Sequence, residues 1–217
     1  MNLAKKIDHT ILKAEASTAT VKQYCEEARQ YGFASVCVNT VHVAQVAEAL
    51  AGSDVKVCCV VGFPLGAMST EAKAMEARIA VEAGADEVDM VLNIGALKEG
   101  NDALAQADME AVVKASGKSI VKVIIETCLL TEEEIVRACK LAVTADAAFV
   151  KTSTGFSTGG ATIEAVTLMK STVGDRAQVK ASGGIRTYEQ AMALIAAGAD
   201  RIGAGNGVAL LDQKYEG

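Results

Sequence analysis

Histidine is scarce in this chain of 217 residues. Only His9 and His42 occur, which argues against a His-rich catalytic metal centre. Tryptophan is absent, and the one proline is Pro64. None of the six cysteines, Cys25, Cys37, Cys58, Cys59, Cys128 and Cys139, forms a C-x-x-C pair. They read as reduced thiols of a cytoplasmic protein, with adjacent Cys58 and Cys59 acting as small hydrophobes. No basic stripe offsets the net charge of −6 and pI near 5.1, so no nucleic-acid partner is expected. No uncharged apolar run approaches the length of a membrane span, and residues 1–13 lack the apolar core of a secretory signal, so no membrane partner is expected.

What remains is a chain that is 51% hydrophobic, enough for one sizeable core and typical in length of a single α/β barrel. Short apolar runs predict strands at 7–11, 34–39, 55–61, 87–92, 119–126, 147–150, 177–180 and 200–203. Helical patterns fall between them. Ser17 or Thr18 caps a helix to Tyr31 that Gly32 stops, and Thr40 caps one reaching Leu50. Further helices are expected over 69–83, 103–115, 161–171 and after residue 207. Thr131 with Glu134 forms a capping box, and Thr187 opens a helix that ends at Gly198. Residues 81–86 and 195–200 repeat one plan, a helix end, then glycine, then a strand. Eight such βα units predict parallel pairing and closure into a TIM (β/α)8 barrel, one domain over 1–217.

Parallel strands are covered on both faces, so charges inside them are informative. Glu87, Asp89 and Val91 share one face of a strand, and Lys122, Ile124 and Glu126 share one face of the next. The opposite faces are apolar and suit the outer helices, which turns the charges inward. Two more strands each end in a lysine followed by small residues and glycine, Lys151-Thr152-Ser153-Thr154-Gly155 and Lys180-Ala181-Ser182-Gly183-Gly184. Asp89 is therefore expected to meet Lys122, Lys151 and Lys180 in one cluster. A lysine crowded by a second cation gives up its proton more readily and becomes a nucleophilic amine. Asp89 is read as functional, Lys122 and Glu126 as support, and Glu87 as peripheral. Cys37 reads first as packing, with contact to substrate as the alternative. Asp8 and Thr10 either line the barrel mouth or serve turn chemistry. The glycines after the last three strands, with Gly203, Gly205 and Gly207 in the final loop, suit a phosphate site.

These residues together closely resemble the deoxyribose-phosphate aldolases, class I enzymes on a TIM barrel. The likeness rests on Ile7-Asp8-His9-Thr10, the Cys37 strand, the 62–66 loop, the strands holding Asp89 and Lys122, and the Lys151 and Lys180 stretches. The resemblance implies a Schiff base on Lys151, with Asp89 and Lys180 as the proton-transfer pair. It implies Thr154 facing sugar hydroxyls, and Gly155, Gly183 and Gly184 in the phosphate pocket. Gly205 and Asn206 stand where many relatives carry two serines, and Phe156 where some carry a lysine. Tyr215 stands near the position of a mobile tail tyrosine in relatives. The implied reaction is reversible, cofactor-free and metal-independent cleavage of 2-deoxy-D-ribose 5-phosphate into D-glyceraldehyde 3-phosphate and acetaldehyde. Phosphorylated sugars and aldehydes are the expected partners, with a homodimer as the candidate assembly. The alternatives are a phosphosugar isomerase with Asp89 as base, and a barrel that binds sugar phosphates without catalysis.

Overall fold

The computed structural model describes residues 2–212. Its strands run β1 (Ile7–Ile11), β2 (Ser35–Val38), β3 (Lys56–Val61), β4 (Glu87–Val91), β5 (Ile120–Ile124), β6 (Phe149–Lys151), β7 (Gln178–Ser182) and β8 (Arg201–Ala204). All neighbours pair in parallel, and β8 closes onto β1, making a TIM barrel. The helices are α1 (Thr18–Tyr31), α2 (Val43–Leu50), α3 (Thr70–Glu82), α4 (Ile94–Lys98), α5 (Asp102–Ser116), α6 (Glu132–Thr144), α7 (Ile163–Val173), α8 (Tyr188–Ala196) and α9 (Ala209–Asp212). Among the described residues no helix is long and apolar enough to cross a membrane.

Local chemistry sets the helix ends. The Ser17 hydroxyl accepts from the Thr20 N–H, and Gly32 ends α1 in the left-handed region at φ 66°. Thr131 and Glu134 form the expected capping box on α6, and Thr187 forms one with Gln190 on α8. Thr40 does not cap α2. A 3₁₀ turn, Thr40–His42, intervenes, and the Thr40 hydroxyl donates to Glu76 on α3 instead. The one-turn α4, too short to carry a helical period, was not expected.

Two apolar layers position the site. The larger lies between the sheet and the helices and takes the outward residues, such as Val88, Met90, Val123, Val150 and Val179. Burial of this layer from water, at roughly 25 cal/mol per Å² of apolar surface, is the main force closing the barrel. The inner apolar set is small, Cys37, Cys58 and Val60 against Leu12 and Phe63. Val91, Ile124 and Phe149 also point inward, with the Phe149 ring under Lys122 and Arg201, and the charged groups fill much of the remaining interior. Behind β4, the fully buried Lys73 donates to Asp108 at 2.6 Å and to the Val91 carbonyl at 3.0 Å, tying α3, α5 and the strand together.

Candidate active site

A column of charges of alternating sign runs up the barrel axis. At its base Arg201, the first residue of β8, donates to Asp8 at 2.6 Å and lies 3.2 Å from Glu87. Asp8 takes Lys180 at 2.5 Å, and Glu87 takes Lys122 at 2.5 Å. Lys122 and Lys180 then meet the two oxygens of Asp89, Oδ1 and Oδ2, each at 2.7 Å. Lys151, the last residue of β6, closes the column by donating to Asp89 Oδ2 at 2.8 Å. Strand register brings these groups together, since Asp89 pairs with Lys122 and Lys151 with Lys180. Their inward pointing follows from the period of two along each strand.

Such charges cost several kcal/mol per ion to bury unless each is paired, and here each is. Burial pushes the Asp89 carboxyl up. The ammonium groups of Lys122, Lys151 and Lys180 outweigh that and hold it well below the usual carboxylate range. Asp8 is lowered likewise, by Lys180, Lys122 and Arg201 against its burial. Burial alone would lower Lys180 and Lys122. Asp8 and Asp89 raise Lys180, and Asp89 leads in raising Lys122, so both stay cationic.

Glu87 is therefore not peripheral. It sits at a strand start, yet it is buried against Lys122 and Arg201 and anchors the base of the column. Cys58 is more than a small hydrophobe. Its thiol donates to Asp89 Oδ1 at 3.3 Å, while Cys59 on the opposite face packs in the outer core. Cys37 is fully buried beside Cys58 in register. The neighbouring Cys58 side chain lowers the pKa of the Cys37 thiol, and burial raises that of Cys58. The ligating atoms of Cys37, Cys58 and Asp89 lie within 4.8 Å of one another. Both Asp89 oxygens already take ammonium groups, so a metal cation would have to displace a lysine there. All six cysteines are free.

Above the column opens a cavity of about 450 Å³, the size of a small ligand site. Lys151 is on its wall, with Thr154, Gly155, Gly183, Gly184 and Gly205. Gly155 and Gly184 have φ of 83° and 78°, where a side chain would be strained, and no atom of the described residues occupies the space beside either Cα. Their backbone N–H groups are thus free to approach an anion closely. Phe156 also faces the cavity and stands edge-on to Phe63 at 5.2 Å. Thr10 enters the wall from β1 and Lys13 from the segment after it. Among the described residues, Lys13 and Lys151 are the only charged ones on that wall.

Three expected contacts fall elsewhere. Asp8 lies below the cavity on Lys180 and Arg201, because it is the second residue of β1 and its neighbour Thr10 reaches the mouth instead. Cys37 is sealed beneath the cavity wall. The Asn206 side chain turns away and accepts from the Ala209 N–H, at the start of α9. Tyr215 lies outside the described residues. The sequence reading missed Arg201, Lys13 and Tyr24. Tyr24 on α1 donates from its hydroxyl to the Gly205 carbonyl at 2.7 Å and stacks on His9. His9 Nδ1 in turn accepts from the Gly207 N–H at 3.2 Å, so β1 and α1 both brace the final glycine loop.

The DeoC/LacD family aldolase model matches residues 3–216. A deoxyribose-phosphate aldolase from Geobacillus sp. (strain WCH70) is 63% identical over 98% of this chain and 96% of its own length. One from Streptococcus gordonii is 61% identical over 97% of this chain and 96% of its own length. Among solved structures, the tetrameric deoxyribose phosphate aldolase from Aeropyrum pernix superposes with a TM-score of 0.92. It is 33% identical, covering 98% of this chain and 91% of that one. The barrel, the buried lysine column and these relatives together place the chain in the DeoC/LacD family of aldolases.

Proposed function

We propose that the barrel cleaves 2-deoxy-D-ribose 5-phosphate reversibly into D-glyceraldehyde 3-phosphate and acetaldehyde through a Schiff base on Lys151. The observation that carries this reading is the position of Lys151. It ends β6 on Asp89 Oδ2 beside Lys180, at the floor of a cavity whose far wall is glycine backbone. The neutral Lys151 amine attacks carbon 1 of the open-chain aldehyde, and loss of water leaves a protonated imine. A base takes the proton of the carbon-3 hydroxyl as the bond between carbons 2 and 3 breaks. The bonding pair moves to carbon 2, forming an enamine, and glyceraldehyde 3-phosphate departs. Protonation of carbon 2 and hydrolysis then release acetaldehyde and restore the amine. We assign proton transfer to the Asp89–Lys180 pair, 2.7 Å apart and in contact with Lys151. The imine is the electron sink, so no metal is required.

The phosphate belongs at Gly155, Gly183, Gly184 and the Gly205 loop, with Lys13 the one cation among the described lining residues that is free of the lysine column. This role for Lys13 offsets the loss of donors at Phe156, Gly205 and Asn206. An isomerase with Asp89 as base would need no covalent lysine, so trapping an adduct on Lys151 separates the two readings. The six free thiols suit a reducing cytoplasm. A homodimer is the assembly we favour, and light scattering would test it.

The direct test is an aldehyde-release assay with deoxyribose 5-phosphate, run with and without a chelator. Turnover in both supports the reading. No turnover would favour a silent sugar-phosphate-binding barrel, and activity lost to chelator and restored by zinc would favour a metal-dependent aldolase.

A further inference from the structure

Glu126 follows β5 with φ 55° and ψ 65°, one of two non-glycine residues held at positive φ among those described. Such strain concentrates at functional positions. Its carboxylate is buried, yet among the described residues no cation is its partner. Oε1 accepts from the Thr154 N–H at 3.1 Å, and Cys128 Sγ comes within 4.0 Å of the same oxygen. Oε2 accepts from the Thr154 hydroxyl at 2.5 Å. Thr154 Oγ1 also accepts from the Phe156 N–H at 3.0 Å. Burying an unpaired carboxylate is costly, and here the whole arrangement is spent on one threonine.

A threonine hydroxyl has one proton and two lone pairs. In Thr154 the proton goes to Glu126 and one lone pair to Phe156, which leaves one lone pair for the cavity that Thr154 lines. We infer that Glu126 is a positioning residue that fixes Thr154 as a hydrogen-bond acceptor, so that the site selects a substrate whose carbon-4 hydroxyl donates to it. The choice of carbon rests on the proposed function. Carbon 1 is on Lys151, the carbon-3 hydroxyl must reach the Asp89–Lys180 pair, and phosphate lies at Gly155, one residue past Thr154. Carbon 4 is the one left opposite Thr154. Glu126→Gln keeps the shape but reverses the polarity. Its amide donates to Oγ1, and the threonine proton turns into the cavity.

The test compares deoxyribose 5-phosphate with its 4-deoxy analogue, which has the same chain and phosphate without that hydroxyl. In E126Q, kcat/KM for the full substrate should fall about tenfold to a hundredfold, the worth of one hydrogen bond to a charged network. For the analogue it should stay within about twofold of wild type, since the lost bond is one it never made. Should E126Q not fold, Thr154→Val must give the same split between substrates. An equal loss on both substrates, or no loss on either, would overturn the inference. Wild type inactive on both would instead overturn the proposed function, and this inference with it.

Discussion

Lys151 and Lys180 donate to one and the same oxygen, Oδ2 of Asp89, at 2.8 and 2.7 Å. Their nitrogens are therefore no farther apart than those two bonds laid end to end. A single carboxylate oxygen holds the nucleophile and its neighbouring cation together, while Oδ1 takes Lys122. Replacing Asp89 with Asn leaves three lysines without their shared anion. In D89N, kcat for deoxyribose 5-phosphate cleavage should fall about a hundredfold or more, and thermal stability should drop. Stopped-time assays and a melting curve would check both, and near-normal kcat would contradict the assignment.

Glu87 belongs to stability rather than to chemistry. It neutralises Lys122 and Arg201 two residues below Asp89 on β4. Glu87→Gln should cost roughly 3 kcal/mol, the range for breaking a buried ion pair. Lys151 should still form its adduct in the folded fraction. Urea unfolding gives the first quantity and mass spectrometry the second.

His9 supplies a pH dependence. Burial lowers its pKa from 6.5, against the opposing pull of its Glu27 hydrogen bond. The Gly207 N–H donates to Nδ1, which requires the neutral ring, with the other nitrogen 2.7 Å from Glu27. Between the folded value and 6.5 the unfolded chain binds more protons, so stability rises with pH there. Above 6.5 the contribution is complete, and as pH falls below 6.5 it is lost. Melting temperature should therefore decline on acidification in this window. In His9→Gln that decline should flatten.

Lys13 is exposed at the cavity rim, so its effect should be electrostatic and specific to phosphate. Lys13→Gln should raise KM for deoxyribose 5-phosphate about fivefold, and high salt should shrink the difference. KM for unphosphorylated deoxyribose should not move. Equal effects on both sugars would show that Lys13 acts through loop structure.

The barrel was legible because helix and strand periods alternate eight times and caps such as Ser17 and Thr131 mark the helix starts. Asp89, Lys122, Lys151 and Lys180 were legible because a charge within an apolar parallel strand has only the barrel interior to face. Glu87 was misread because the first residue of a strand is usually near solvent. Its partner Arg201 comes from β8, a pairing that only barrel closure creates. Lys73 looked like any helix lysine, and packing of α3 against α5 is what buries it on Asp108. Asn206 sits in the expected loop, but its side chain serves α9.

The central claim is covalent chemistry at one nitrogen. Borohydride added during turnover of deoxyribose 5-phosphate, followed by peptide mass spectrometry, reads it directly. A reduced two-carbon or sugar adduct on Lys151 is the expected result, absent from Lys151→Arg. An adduct on Lys180, Lys122 or Lys13 in its place, or undiminished turnover with no trapped lysine, would contradict the account.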